Sequence, residues 1–353
     1  MRFGKKQRNM NNNNSFAYYK LPNESCYHYI GSDSPSLRIS KLATIADCHT
    51  GFLIVPFNTN DCAILLITPE EESVHEIPLS HGATTIPLDK ITTIDSAYAR
   101  DFEECKRLLD TDELQKIVLA HQFVEEDMQI TSCQELFMLA ASTFPKCYVA
   151  LWHTPETGSW LTITPEVLLE SKENETWHTV ALAGTMPKEA TEWSEKNKKE
   201  QQYVADYITS VLTPNVSNLI QTEVQTIEAA QIKHLRTDFY FKPQTTIGHL
   251  LEELHPTPAV CGLPKEEANE AIKHIETTPR NYYAGCSGPL QTPSHGTHLY
   301  VTLRCAHWRK NTTVAFYAGG GLLKESDLWD EWQEINTKKQ TAKCIVTKHI
   351  STI

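Results

Sequence analysis

Apolar residues recur along the chain with two periods, 2 and 3.6, that alternate irregularly. Phe52-Leu-Ile-Val-Pro56 and Ala63-Ile-Leu-Leu-Ile67 are apolar runs of strand length. Pro, Gly, Asn and Asp punctuate them, so residues 16–92 read as short strands and turns that form a scaffold portion. Residues 93–109 turn helical. Lys116-Ile-Val-Leu-Ala-His-Gln-Phe-Val124 is rich in β-branched residues and predicts a strand that opens on Lys116. Residues 134–144 predict an amphipathic helix. Residues 147–152 and 160–164 predict a hairpin around Pro155-Glu-Thr-Gly158, and 180–182 a short strand ending at Gly184-Thr185. The clearest helix covers 192–213, where Tyr203, Val204, Tyr207, Ile208, Val211 and Leu212 recur with the helical period. Glu200 lies one turn before Val204, at the edge of the apolar face.

Residues 232–241 predict a strand with His234 inside it. A short helix at 247–254 ends in His255-Pro-Thr-Pro-Ala-Val-Cys-Gly-Leu-Pro264, a loop made rigid by its prolines. A helix at 265–275 and a strand at 282–288 follow. Residues 299–306 alternate, predicting one strand with Tyr300, Thr302 and Arg304 on one face. The strand at 313–317 then meets Gly319-Gly-Gly321, read as a turn, and Ser326 is read as the N-cap of the last helix. On that helix Glu331, Glu334 and Lys338 stand at i, i+3 and i+7 and share a face. Such a triple is ordinarily a solvated face, a lone strand histidine ordinarily a structural residue, and an edge glutamate ordinarily snorkels to water. The glycine run is neither a dinucleotide fingerprint nor a P-loop, so a nucleotide site is unsupported.

Composition adds exclusions. The chain has 353 residues, 22% of them charged, and a net charge of −12 with no basic stripe, which argues against nucleic acid. Binding an acidic ligand would then require cations gathered in one site. The ten cysteines form no C-x-x-C pair, so free thiols in a reducing cytoplasm are expected rather than a disulfide framework or a zinc site. No apolar run approaches the ~20 residues of a membrane helix. Residues 1–15 are basic and Asn-rich without a signal-peptide core, and predict a disordered tail.

From residue 93 to the C-terminus the chain resembles the chorismate-utilising enzymes. The resemblance rests on ten stretches in order. They are Lys116-Ile-Val-Leu-Ala120, Thr164-Pro-Glu-Val-Leu-Leu169, Leu182-Ala-Gly-Thr185, Glu195-Lys-Asn-Lys-Lys-Glu200, His234-Leu, the loop from His255 to Gly262, Arg280-Asn-Tyr-Tyr-Ala-Gly285, Thr302-Leu-Arg-Cys-Ala306, Tyr317-Ala-Gly-x-Gly321, and Glu331-Trp-Gln-Glu334 with Lys338. Each alone is weak, and the His-Pro-Thr-Pro-Ala loop is the most specific. The resemblance implies a single large α/β (α+β) domain, with two stacked antiparallel β-sheets flanked by helices. It divides the chain into the tail (1–15), a divergent N-terminal scaffold (16–92) and a catalytic portion (93–353).

The resemblance also implies roles for particular residues. Lys116 matches a water-activating lysine and Glu166 a general acid on the opposite side of the substrate ring. Glu200 and Glu334 match ligands of a Mg²⁺ ion, with Glu331 acting through water. Arg304, Lys338 and Tyr283 match groups that bind the enolpyruvyl carboxylate. Gly184, Thr185, Ala259 and Gly319 match the pocket lining, and His234 a pocket histidine near the C4 oxygen. Asn197 stands where some relatives carry an acidic residue, and is doubtful as a ligand. Gln201 and Gly320 depart from the common His and Ala.

Lys116, Ala183 before Gly184-Thr185, and Ala259 favour the water-adding branch. The expectation is an isochorismate synthase, a Mg²⁺-dependent isomerase acting on chorismate and feeding menaquinone rather than siderophore synthesis. It is expected to act as a monomer without an amidotransferase subunit. The alternatives are a salicylate synthase, an anthranilate synthase component I, or a non-catalytic chorismate-binding subunit.

Overall fold

A computed structural model describes residues 14–77, 89–229, 232–310 and 312–351. Among these, a nine-stranded and a ten-stranded antiparallel sheet face one another, with six α-helices around them. The main core lies between the sheets and takes residues such as Tyr19, Trp152 and Trp160 from the first and Phe52, Leu169 and Phe239 from the second. A second core fills the outer face of the first sheet, under helices Cys133–Thr143 and Leu328–Ser351. None of the described helices is long and apolar enough to cross a membrane.

The N-terminal scaffold is woven into both layers. Strands Ser15–Lys20, Cys26–Ser32 and Glu71–Glu76 join the first sheet, and Leu37–Ile39, Gly51–Val55 and Ile64–Ile67 the second. Of the proposed tail, residues 1–13 lie outside the described residues. Ser15 does not belong to a tail: it is buried and opens the first strand.

Most predicted elements form within a few residues of their expected ends, because local capping fixes them. Asp95 caps helix Ser96–Asp110 by accepting from the amides of Ala97 and Tyr98, and Ser194 caps helix Glu195–Leu212 by accepting from Asn197. The latter helix buries Val204, Ile208, Val211 and Leu212 against strand Trp177–Pro187 of the second sheet. Each such side chain contributes about 1.5–3 kcal/mol of transfer free energy.

Four expectations need correction, and three of them bear on the site. Residues 299–306 are not one strand. His298–Val301 belongs to the second sheet and Cys305–Trp308 to the first, and the chain crosses between them through Thr302, Leu303 and Arg304. Alternation alone cannot register a change of sheet. Residues 282–284 form a turn rather than a strand, and the strand is Cys286–Leu290. The three glycines are not a turn. Strand Thr313–Leu322 continues through them, paired with strand Lys116–Glu126 from Thr313 opposite Glu126 to Leu322 opposite Ile117. Ser326 is not the N-cap either. Asp327 accepts from the amides of Trp329 (2.9 Å) and Asp330 (3.1 Å), while Ser326 donates to Glu331 at 2.8 Å.

Candidate active site

The site forms where the glycine-bearing strand of the first sheet approaches helix Glu195–Leu212. Lys116 is fully buried at the start of its strand. Its Nζ lies 3.0 Å from Glu200 Oε1. Gly321 makes this approach possible. A Cβ there would stand 2.0 Å from Glu200 Oε1 and 3.1 Å from Lys116 Cε. Burial opposes ionisation of Glu200, but Lys116 and Lys196 outweigh it and hold its carboxyl below the usual range.

Glu166 immediately precedes strand Val167–Ser171, and its amide donates to Thr164 Oγ1 at 3.1 Å. Burial pushes its carboxyl up to about 7, and the nearby cations Lys116, Lys338 and Arg304 only partly offset this. Arg304 sits at the sheet crossing with φ 48°, a left-handed backbone that the crossover requires. Its guanidinium donates to His234 Nε2 at 2.8 Å. The other ring nitrogen, Nδ1, lies 3.1 Å from the Gly184 carbonyl. A carbonyl only accepts, so Nδ1 carries the proton and Nε2 receives the bond from Arg304. Burial, then the charges of Arg304 and Lys338, keep this imidazole neutral. Gly184 itself has φ 72° in an irregularity of the Trp177–Pro187 strand between Ala183 and Thr185, which frees its carbonyl from the ladder.

At the other end Lys338 Nζ donates to the Gly319 carbonyl (3.0 Å) and to Glu334 Oε1 (2.6 Å). Glu331 is buried, ion-paired with Lys196, and pushed up to about 7 by burial and by Glu334. Its Oε2 has no hydrogen-bond partner among the described residues. Gly320 leaves room for these carboxylates, since a Cβ would meet Glu331 Oε2 at 3.1 Å and Glu334 Oε1 at 3.7 Å. Three acidic side chains, Glu200, Glu331 and Glu334, surround Gly320 and Gly321, each ion-paired to a lysine, and carboxylate oxygens are the donors that a hard divalent cation prefers.

Of the residues singled out from sequence, Glu166, Gly184, Thr185, Glu200 and His234 line one cavity, and Ala259, Tyr283, Arg304, Gly319 and Lys338 close it. Lys116 and Glu334 stand just behind this lining and reach it through Glu200 and Lys338 respectively, while Glu331 is held outside it by Lys196 and Ser326. Asn197 donates its side-chain amide to the Thr185 carbonyl at 3.1 Å, so it positions the wall of the site.

The model of the family described as chorismate binding enzyme matches residues 69–344. The chain belongs to the chorismate-binding enzyme family. Isochorismate synthase EntC of Escherichia coli K12 is 30% identical over 267 residues, covering 71% of this chain and 66% of the relative. Isochorismate synthase MenF of Pasteurella multocida is 28% identical over 257 residues, covering 68% and 59%. The chain thus spans less than two thirds of these relatives' lengths. The solved structure of the menaquinone-specific isochorismate synthase MenF of Escherichia coli superposes with a TM-score of 0.75 at 20% identity, covering 94% of this chain and 88% of that one. At that identity the likeness shows the fold.

In this chorismate-binding enzyme the two cations that face the cavity are already engaged within the protein, Lys338 with Glu334 and Arg304 with His234. The sequence reading missed three supporting residues. Lys196 pairs with Glu331. Gln201 binds the Ala183 amide (2.9 Å) and the Ala181 carbonyl (3.0 Å), fixing the strand before Gly184. Arg280 donates to the carbonyls of Val260 (2.6 Å) and Val118 (2.7 Å), tying the proline loop to the Lys116 strand. Each supports through long-range contacts, which a linear pattern does not carry.

Proposed function

We propose that this protein is an isochorismate synthase that converts chorismate to isochorismate with Mg²⁺. The observation carrying this reading is Lys116, a fully buried amine 3.0 Å from Glu200, close to a carboxyl that stays protonated to about pH 7. In its neutral form Lys116 takes a proton from the water that attacks C2. The ring double bonds shift, the C4–O bond breaks, and Glu166 supplies the proton with which the C4 hydroxyl leaves as water. The neutral His234 and the Gly184 backbone orient the C4 side. Arg304, Lys338 and Tyr283 hold the enolpyruvyl carboxylate, with Arg304 suited to bidentate pairing. Glu200 and Glu334 would hold Mg²⁺, with Glu331 reaching it through a water. When bound, the ion neutralises the ring carboxylate as charge develops.

The MenF relatives support menaquinone supply as the use of the product. We read the protein as a monomer acting without an amidotransferase subunit. The experiment is incubation of the pure protein with chorismate and Mg²⁺, with products separated by chromatography. Isochorismate as the accumulating product is expected. Salicylate with pyruvate would make it a salicylate synthase, and product only with an ammonium source would make it an anthranilate-forming enzyme.

Two variants test the metal end. Glu334→Gln should raise the Mg²⁺ concentration for half-maximal rate, and an unchanged Mg²⁺ titration removes Glu334 from the ligand set. Gly321→Ala should lower kcat/KM by about 10²-fold, because the added methyl displaces the Glu200 carboxylate by roughly 1 Å and crowds Lys116. Wild-type kinetics in a folded Gly321→Ala protein would contradict the geometry.

A further inference from the structure

Far from that cavity, the N-terminal scaffold gathers a second set of donors. Strand Cys26–Ser32 places Cys26 and His28 two residues apart, hence on one face. The turn before it brings in Glu24. Oxygen, sulfur and nitrogen donors of Glu24, Cys26 and His28 all lie within 4.8 Å of one another. Glu24 Oε2 is 3.6 Å from His28 Nε2, and Cys26 Sγ is 3.9 Å from the same nitrogen. Across the gap between the sheets, His295 stands in the turn joining strands Cys286–Leu290 and His298–Val301. Its Nδ1 lies 3.9 Å from Glu24 Oε1, and its ring packs edge-on against His28 at 4.2 Å between centroids.

Two readings compete. A nucleophilic relay needs the thiol on one imidazole nitrogen and the carboxylate on the other. Here both face Nε2, so no relay is formed. Donors converging on one point are instead the pattern of a metal site. Around tetrahedral Zn²⁺, with Zn–N and Zn–O of about 2.0 Å and Zn–S of about 2.3 Å, neighbouring donors stand roughly 3.3–3.5 Å apart. The distances of 3.6 and 3.9 Å exceed these by only a few tenths of an ångström.

We propose that Glu24, Cys26 and His28 form a structural Zn²⁺ site that ties the turn at Glu24 to strand Cys26–Ser32, with a water completing the tetrahedron. Mixed sulfur, nitrogen and oxygen donors select Zn²⁺ over Mg²⁺, which demands oxygen ligands in an octahedron. The site is thus chemically separate from the carboxylate set at Gly320. A ligand pattern Glu-x-Cys-x-His has none of the spacing by which zinc sites are read from sequence.

The full chain, stripped with chelator and kept in excess Mg²⁺, is titrated with Co²⁺ as a spectroscopic stand-in for Zn²⁺ and separately with Zn²⁺. The wild type should bind one Co²⁺ with a thiolate-to-metal charge-transfer band and tetrahedral d–d absorption, and Zn²⁺ should abolish both. Cys26→Ser should lose the band, while Glu24→Gln and His28→Ala should weaken Zn²⁺ binding on the order of 100-fold. Zn²⁺ should raise the melting temperature of the wild type and leave that of Cys26→Ser unchanged. No charge-transfer band in the wild type, or a band that survives in Cys26→Ser, overturns the assignment.

Discussion

Lys116→Ala is expected to reduce turnover by at least about 10²–10⁴-fold, the range for loss of a positioned general base. The reason is specific to this pocket. Lys116 Nζ lies 3.0 Å from Glu200, whereas Arg304 and Lys338 line the cavity. In the proposed mechanism Lys116 is the group that takes the water's proton. The variant carries a second consequence. Truncation strands a buried Glu200, which costs up to about 3–5 kcal/mol when a buried charge loses its partner, although Lys196 remains near enough to offset part of it. Turnover is therefore measured well below the variant's melting temperature, with Lys116→Gln as the comparison of nearly equal volume. Turnover within tenfold of wild type in both folded variants would remove Lys116 from the role of base.

Glu166→Gln is expected to be comparably severe, with about 10²–10⁴-fold lost, and to change the pH profile. Glu166 keeps its proton until about pH 7. Its contribution as an acid is therefore present below that pH and falls as pH rises through it, giving the wild type a descending limb that Glu166→Gln lacks. Stability follows the same sign. The folded-state pKa lies above that of the unfolded chain, so the proton's stabilising contribution is fully present below about 4.5 and is lost as pH rises through about 7. Between those limits the wild type should lose more melting temperature than Glu166→Gln. Parallel stability curves would show that burial does not perturb this carboxyl.

The site was more legible in the sequence than the fold around it, and the reason is physical. Lys116, Glu166 and Glu200 sit at fixed positions on strongly patterned elements, so a motif preserves their placement. Arg304 was marked as a site residue but set on the wrong kind of backbone. An alternating run looks the same whether it stays in one sheet or crosses to another. The glycines were read as a turn because glycine ordinarily weakens a strand. Here the packing of Glu200 and Lys116 against Gly321 explains why a strand tolerates them. Gln201, Lys196 and Arg280 escaped because their partners are distant in sequence. The interleaving of residues 16–77 through both sheets was also hidden, since strand pairing depends on topology rather than on local pattern.

The central claim is that water adds at C2 while the C4 hydroxyl leaves, with Lys116 and Glu166 on opposite sides of that exchange. The most direct measurement is turnover of chorismate with Mg²⁺ in ¹⁸O-labelled water, followed by mass spectrometry of the isochorismate formed. This account predicts one solvent-derived oxygen in every product molecule, at the C2 hydroxyl. Isochorismate that retains the original hydroxyl oxygen would contradict it.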